Sequence, residues 1–289
     1  MTASLRLVPS CGDGGGIPPV EAWEVFMRGA GLSPRTVRDN VATVRRLERH
    51  AAKGATQLVA LDVSRFLGRD ELGASSRAAY FSSIASFYKW FANNGGHDIT
   101  AALPRPKAPK GIPRPCADDG LARLLASRMH RRTRIMILLA ALAGLRVAEI
   151  SHVRGEDINM TARTLTVLGK GGRTDILPLH PLLVEVAATM PRRGWWFPAN
   201  ARRAGSHLHS KSVSDIIGQA MRRADVAGTP HSLRHWYGST LVGDGADLRT
   251  AQTLLRHSSL NTTAIYVAVR DHKRIEAIDR LDPFAACVQ

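Results

Sequence analysis

The stretch AALPRPKAPKGIPRP, residues 101–115, most constrains how this chain of 289 residues can fold. It holds five prolines and four cationic residues without one acidic residue. Proline lacks a backbone N–H and disfavours the helical conformation in the residue before it, so neither a helix nor a central strand can run through this segment. We therefore expect an extended linker at 101–116 that separates two folded parts. Such a linker either passes around an anionic partner or serves as a solubilising spacer.

The charge of the chain points to a polyanionic partner. The formal net charge is +16 with a pI near 10.9, and the excess of cations is spread along the whole chain. A membrane anchor would concentrate its cations beside an apolar helix, but the longest apolar run, which starts at Ile135, is too short to span a bilayer. Nucleic acid is therefore the favoured partner, and no membrane association is expected.

Cysteine usage and the N-terminus indicate the cellular compartment. Cys11, Cys116 and Cys287 are scattered and form no CxxC or Cys/His metal spacing, which is typical of a reduced, intracellular protein without structural zinc. Residues 1–17 lack the apolar core of a signal peptide and are expected to form a flexible N-terminus.

Residues 18–100 are predicted to form a small all-helical domain. Ser33 is a good N-cap, and Pro34 suits the first position of the helix that follows. Apolar residues recur on one face of this helix: Val37, Val41, Val44 and Leu47. Arginines occupy its other face, where they either contact phosphates or are simply solvated: Arg35, Arg38, Arg45, Arg46 and Arg49. A second helix is predicted from Ser75 to the stop at Asn94–Gly96, with aromatic side chains in the core.

Residues 117–289 are predicted to form a second, mixed α+β domain. The segments DDGLARLLASRM and RTRIMILLAALAGL have helical patterns, and the second is apolar on most sides. TLTVLGKGGRTDILPL then changes to a strand, a Gly-rich turn and a strand, which predicts a hairpin. Four later segments return to helical patterns: PLLVEVAATM, SVSDIIGQAMRRADV, ADLRTAQTLLRH and NTTAIYVAV. The fold class is therefore mainly α with a small antiparallel sheet.

Short motifs of the second domain carry candidate chemistry. Arg146 and Glu149 are three residues apart after Gly144, a spacing that also suits an ordinary intrahelical ion pair. Lys170 lies on the hairpin turn, where it either reaches a ligand or is solvated; the sequence enters a strand there, so the turn is no ATP-binding P-loop.

The motif HSLRH places His231, a proton-transfer group, three residues before Arg234, a permanent cation. A zinc site at His231 and His235 is disfavoured, because no carboxylate cluster offers a further ligand. Tyr266 has an ordinary pKa of about 10 and would need cations or a base nearby to act as a nucleophile.

These residue types together fit the in-line attack of a phenol on a phosphodiester. Two guanidinium groups can stabilise the charge of the pentacoordinate transition state, a lysine can protonate the leaving alkoxide, and a histidine can take the phenol proton. Because the guanidinium groups supply the positive charge, we expect neither a metal ion nor another cofactor.

The motifs AGLRVAEI, LGKGGRTDILPL, HSLRH and LLRHSSLNTTAIY occur in this order and resemble the tyrosine recombinases, or phage integrase family. The helical domain more loosely resembles the SAM-like core-DNA-binding domain of the family. The resemblance implies that Arg146 and Arg234 are the phosphate-binding arginines and that Lys170 is the hairpin lysine that protonates the 5′ oxygen. It also implies that His231 is the general acid/base, that His257 contacts the phosphate and that Tyr266 is the nucleophile. Glu149 resembles the acidic residue that orients the site.

The resemblance also implies a mechanism and partners. A 3′-phosphotyrosyl link to DNA conserves bond energy, and a homotetramer on two duplexes exchanges strands through a Holliday junction. The implied substrate is a core-type double-stranded DNA site, and an accessory DNA-bending or directionality factor is compatible with it. The segment after Tyr266 either docks on a neighbouring protomer or packs on its own domain. The residues before the first domain are too few for an arm-binding domain, so we expect no arm-site binding. The implied location is the bacterial cytoplasm, with nucleoid association during the reaction.

The chain departs from the family pattern at two positions. Arg256 stands where glycine is usual, which either strains the turn or adds a phosphate contact, and Asp175 stands where many relatives have a cation. Arg35, Arg38, Arg45 and Arg256 are the candidate DNA contacts.

Two alternatives to recombination are open at this point: a non-catalytic DNA-binding protein of the same fold, and a type IB topoisomerase-like enzyme. Tyr237 is the alternative nucleophile.

Overall fold

The computed structural model describes residues 17–109, 114–169, 172 and 174–256. The chain divides into two compact units between Gly111 and Ile112, inside the proline-rich segment. Residues 104–109 and 114–117 contain neither helix nor strand. The predicted flexible N-terminus, apart from residue 17, lies outside the described residues. The functional assignment of the two units as domains stays a prediction.

The first unit is helical in its described part. Its helices are α1 (Pro19–Gly29), α2 (Pro34–Ala51), α3 (Ala60–Leu67) and α4 (Ala74–Asn93). The predicted cap of α2 is confirmed, because the Ser33 hydroxyl accepts a hydrogen bond from the Thr36 backbone N–H at 3.1 Å. The helix predicted from Ser75 is also confirmed as α4, although it begins one residue earlier. Helices α1 and α3 were not predicted individually.

The core of the first unit forms where the apolar faces of these helices meet. The side chains predicted for the inner face of α2 are all buried. Ile84 and Phe87 of α4 are fully buried, and Phe91 packs against the same cluster. Trp23 of α1 meets the Phe87 ring edge-on at a centroid distance of 5.3 Å. The aromatic side chains of α4 therefore contribute to the core, as predicted, with Phe87 fully buried and Phe91 partly buried.

The second unit is also mainly helical. Its described helices are α5 (Asp118–Ala126), α6 (Arg131–Leu142), α7 (Val147–Ser151), α8 (Pro181–Ala188), α9 (Ser210–Arg223), α10 (Pro230–Gly243) and α11 (Leu248–Leu255). Helix α6 is buried on most sides, as predicted, and packs against α10, α9 and α8. The helical pattern NTTAIYVAV lies outside the described residues. Among the described helices, none has both the length and the apolar character of a membrane span.

A three-stranded antiparallel sheet completes the second unit. Its strands are β1 (Ile158–Asn159), β2 (Thr164–Leu168) and β3 (Thr174–Pro178), in the order β1-β2-β3. Leu165 of β2 lies opposite Leu177 of β3, and both are buried, whereas Leu168 and Ile176 are exposed. The β2–β3 hairpin was predicted, and β1 was not. The mainly helical fold class with a small antiparallel sheet is confirmed.

Candidate phosphodiester-transfer site

The site begins at the turn between α6 and α7, where Arg146 occupies the N-cap position of α7. The Glu149 carboxylate accepts a hydrogen bond from the Arg146 backbone N–H at 2.7 Å and another from its Nη1 at 2.9 Å. A carboxylate at the third helical position that binds back to the N-cap N–H is a common helix-start arrangement. The Glu149 side chain is 7% exposed, whereas that of Arg146 is 43% exposed. The buried carboxylate therefore holds a guanidinium group that reaches solvent.

Gly144 supplies the backbone acceptor of this turn. Its φ of +59° lies in the left-handed region that favours glycine, and a Cβ at this position would lie 2.5 Å from the Tyr237 ring. The Gly144 carbonyl accepts hydrogen bonds from Nη1 of Arg234 and, at 3.3 Å, from Nη2 of Arg256. One carbonyl with two lone pairs thus helps to place two arginines.

Arg234 lies on α10 and is 1% exposed. Besides the Gly144 carbonyl, its guanidinium group donates to the carbonyl of Leu255 at the end of α11. These two carbonyls come from segments that are 90 and 21 residues away along the chain. The guanidinium group is therefore held at the junction of α10, α11 and the turn before α7.

Two histidines of α10 lie beside this arginine. The His231 and His235 rings are 4.3 Å apart between centroids. Burial lowers the pKa of His231, and the positive charges of Arg234 and Arg146 lower it further. Burial, followed by the charges of His231 and Arg234, lowers the pKa of His235 to about 4. Both rings are therefore mainly neutral at pH 7, so that His231 can accept a proton.

Arg256 is the last described residue and carries a third guanidinium group of the site. Its φ of 52° lies in the left-handed region, as expected for a position where glycine is usual. Its side chain is 4% exposed and binds Glu149 with an Nη2–Oε2 distance of 2.8 Å. The structure thus shows a buried ion pair here, and a contact with DNA stays a prediction.

Sequence reasoning did not find the roles of Gly144, Leu255 and His235. The sequence shows Gly144 only as the residue before the Arg146 motif and His235 only as part of a disfavoured zinc pair, and the Leu255 carbonyl gives no sequence signal at all. The structure also places Tyr237, the alternative nucleophile, against the turn at Gly144. Burial raises the pKa of Tyr237, although Arg256 and Arg234 act in the opposite direction. This phenol is therefore harder to ionise than a free tyrosine.

The other candidate residues divide into two groups. Lys170, His257 and Tyr266 lie outside the described residues, although the strands on either side of the hairpin turn are described. The candidate DNA contacts of the first unit, Arg35, Arg38 and Arg45, are exposed on α2. Nε of Arg35 lies 3.6 Å from Oδ2 of Asp39. Nη2 of Arg45 lies 3.8 Å from Oε1 of Glu21, so both arginines have acidic neighbours.

The guanidinium groups of Arg146 and Arg234 can bind an anionic phosphate group, and the neutral His231 imidazole beside them can accept a proton. Among the described residues, no group of three or more His, Cys, Asp or Glu side chains has the arrangement of a metal site. Positioned cationic side chains of this kind suit a site that stabilises the negative charge developing on a phosphoryl group.

Comparison with known proteins gives the family. The model of the phage integrase family matches residues 120–273. Tyrosine recombinase XerA of Pyrococcus furiosus is 32% identical over 229 residues, which cover 76% of this chain and 80% of XerA. The solved integrase of mycobacterium phage Brujita is 42% identical, covers 92% of this chain and 93% of its own, and superposes with a TM-score of 0.50. A lambda integrase tetramer bound to a Holliday junction is 21% identical, with a TM-score of 0.68 over 83% of this chain and 76% of the integrase chain.

The chain belongs to the phage integrase family. It is a tyrosine recombinase, an enzyme that cleaves and rejoins DNA in site-specific recombination. The lambda integrase likeness, at its low identity, supports the fold alone.

Proposed function

We propose that the chain exchanges DNA strands through a 3′-phosphotyrosyl intermediate formed by Tyr266. The Tyr266 phenolate oxygen forms a bond to the phosphorus, and the bond from phosphorus to the 5′ oxygen breaks. His231 takes the phenol proton, and Lys170 gives a proton to the leaving 5′ oxygen. In the reverse direction a 5′-hydroxyl of the partner duplex attacks the phosphotyrosine, so the number of phosphodiester bonds is conserved.

In this proposal the cationic side chains act on the phosphate. Arg146 and Arg234 donate hydrogen bonds to its non-bridging oxygens as negative charge develops, and His257 adds a further contact. Glu149 orients Arg146. The observation that carries the proposal is that Arg146, His231 and Arg234 lie close together. The contact between Arg234 and Gly144 joins residues that are 90 positions apart in the sequence.

The neutral state of His231 supports its role as the proton acceptor. A protonated imidazole at this position could not take the phenol proton, and burial, followed by the neighbouring guanidinium groups, disfavours protonation by lowering the pKa of His231. The raised pKa of the partly buried Tyr237 phenol argues against this residue as the nucleophile and favours Tyr266 as the candidate.

We also propose the assembly that strand exchange requires. Four protomers would act on two core-type duplexes through a Holliday junction, with residues after Tyr266 docking on a neighbouring protomer. Residues 18–100 would be the core-DNA-binding domain and 117–289 the catalytic domain, joined by the 101–116 linker. Arg35, Arg38 and Arg45 on α2 would contact phosphates of the core site. The enzyme would act on nucleoid DNA in the cytoplasm, and an accessory DNA-bending or directionality factor would set the direction of exchange.

Covalent attachment to DNA tests the chemistry. The purified protein is incubated with a supercoiled plasmid that carries the DNA flanking its own gene, and the reaction is quenched with detergent. We expect covalent protein–DNA complexes in which a Tyr266 peptide is linked to a 3′-phosphate. Tyr266→Phe should abolish attachment but leave DNA affinity nearly unchanged, because one hydroxyl is a small part of an interface dominated by phosphate contacts.

Tyr237→Phe is the matched control, since it removes a phenol hydroxyl but keeps the ring that packs against Gly144. It should attach to DNA as the wild type does. Attachment that survives in Tyr266→Phe and is lost in Tyr237→Phe would assign the nucleophile to Tyr237. Binding of this DNA without any attachment would instead support the non-catalytic alternative.

A further inference from the structure

Arg256 combines a costly backbone conformation with a buried charge. It ends α11 with φ 52°, a conformation in which a residue with a Cβ is less stable than glycine. Its side chain is 4% exposed, and burial lowers its pKa because the charged form loses hydration. Neither feature favours arginine at this position, so the contacts that its guanidinium group makes through Nη2 are of interest.

These contacts join three parts of the second unit. Nη2 of Arg256 lies 2.8 Å from Oε2 of Glu149 on α7 and 3.3 Å from the carbonyl oxygen of Gly144 in the turn before α7. The partners are 107 and 112 residues away along the chain. Arg256 therefore ties the end of α11, directly before His257, to the turn that presents Arg146.

The Glu149 carboxylate is shared as a result. Its Oε1 accepts from Nη1 of Arg146, and its Oε2 accepts from the Arg146 backbone N–H and from Arg256. Three donors on two oxygens leave the carboxylate little freedom to rotate. Because the Glu149 carboxylate also interacts with Arg256, it neutralises the charge of Arg146 less than it would in an isolated Arg146–Glu149 pair.

The charged groups around Arg256 come from several elements. Glu149 on α7 and Asp175 on β3 favour its charged form, whereas Arg146 opposes it. Carboxylates from two different elements thus stabilise the charge on this guanidinium group.

We propose that Arg256 is a positioning residue for strand cleavage: its ion pair with Glu149 and its contact with Gly144 hold Arg146 in place for the phosphate. This inference rests on the proposed function, because it assigns a task within the same site. Arg256 acts through Glu149 in this arrangement. The effects of changing the two residues are thus expected to overlap.

Four proteins test this dependence: the wild type, Arg256→Met, Glu149→Gln and the double variant. The measured quantities are the rate of covalent attachment at saturating plasmid and the DNA dissociation constant. Each single change should slow attachment by about tenfold or more, with DNA affinity changed by less than about threefold. The double variant should be slower than Glu149→Gln by less than about threefold, since residues that act as one unit show non-additive effects.

Arg256→Gly is the most informative additional variant. Glycine suits φ 52°, so a purely structural role for position 256 predicts normal cleavage. The proposal predicts instead the same loss as in Arg256→Met, with partial recovery in Arg256→Lys, which keeps the cation. Attachment by Arg256→Gly within twofold of the wild-type rate would overturn the proposal. A double variant whose reduction in attachment rate equals the product of the two single reductions would also overturn the proposal, because Arg256 would then act independently of Glu149.

Thermal unfolding separates this inference from the proposed function. If the wild type binds the plasmid and forms no covalent complex, the proposed function fails, yet the contact can still be tested. The Tm losses of Arg256→Met and Glu149→Gln should then be non-additive in the double variant. Strictly additive Tm losses would show that the two residues are not coupled, and the positioning role would be refuted without reference to activity.

Discussion

Replacement of Gly144 by alanine should destabilise the second unit by several kcal/mol and slow DNA cleavage. The residue has φ +59°, and a left-handed conformation costs a non-glycine residue about 1–2 kcal/mol. The new methyl group would lie 2.5 Å from Cδ1 and 2.7 Å from Cε1 of Tyr237, about 1 Å inside normal carbon–carbon contact. Forcing a group into such a packed position costs about 1–3 kcal/mol. The expected total is about 2–5 kcal/mol.

The catalytic effect of this substitution follows from the same turn. The Gly144 carbonyl accepts hydrogen bonds from Arg234 and Arg256. A turn that moves to relieve the contact with Tyr237 also moves this acceptor, so both guanidinium groups lose a partner. We therefore expect covalent attachment to slow by about tenfold or more, which corresponds to at least about 1.4 kcal/mol of transition-state stabilisation.

Calorimetric unfolding of the whole chain, with separate transitions fitted for the two units, measures the stability effect. Gly205→Ala is the matched control, because Gly205 has φ +77° in the same unit with no heavy atom within 4 Å of the added Cβ. It should lose only the conformational part, about 1–2 kcal/mol. In a Tyr237→Ala background, the loss of unfolding free energy caused by Gly144→Ala should fall to this smaller value. Equal losses for Gly144→Ala and Gly205→Ala in the wild-type background would refute the argument that contact with Tyr237 requires glycine.

Two further predictions concern pH and salt. The pKa of His235 is about 4 in the folded chain and about 6.5 when unfolded, so the unfolded chain binds more protons between these values and stability falls as the pH drops below about 6.5. Between pH 7 and 5 the free energy of unfolding, measured in urea, should fall by up to about 2 kcal/mol more for the wild type than for His235→Gln. Equal falls in the two proteins would contradict the low pKa of His235. Arg38→Ser should weaken DNA binding for all sequences and reduce by about one the slope of the logarithm of the binding constant against the logarithm of the salt concentration. Lys211→Ser, which removes a partner of Asp215, should leave this slope unchanged. An unchanged slope for Arg38→Ser would exclude Arg38 as a phosphate contact.

Local patterns in the sequence determined much of the fold. Ser33 and Pro34 mark the start of α2 because their effects act within one helical turn, and the apolar spacing that follows shows which face is buried. The β2–β3 hairpin is encoded in the same way, by alternation on both sides of a Gly-rich turn. The short strand β1 was missed, since two residues are too few to show a period and depend on pairing with β2.

The candidate site shows the same division between local and distant interactions. Ordered motifs in the sequence identified the family and selected Arg146, His231, Arg234 and Glu149, and the spacing of Arg146 and Glu149 predicted their pairing. The tertiary structure alone decided that one carbonyl, that of Gly144, serves both Arg234 and Arg256, and that Arg256 turns inward to Glu149. These contacts join residues 90 to 112 positions apart. No local period reports them, because hydrogen bonds of this kind exist only once α10, α11 and the turn before α7 have packed together.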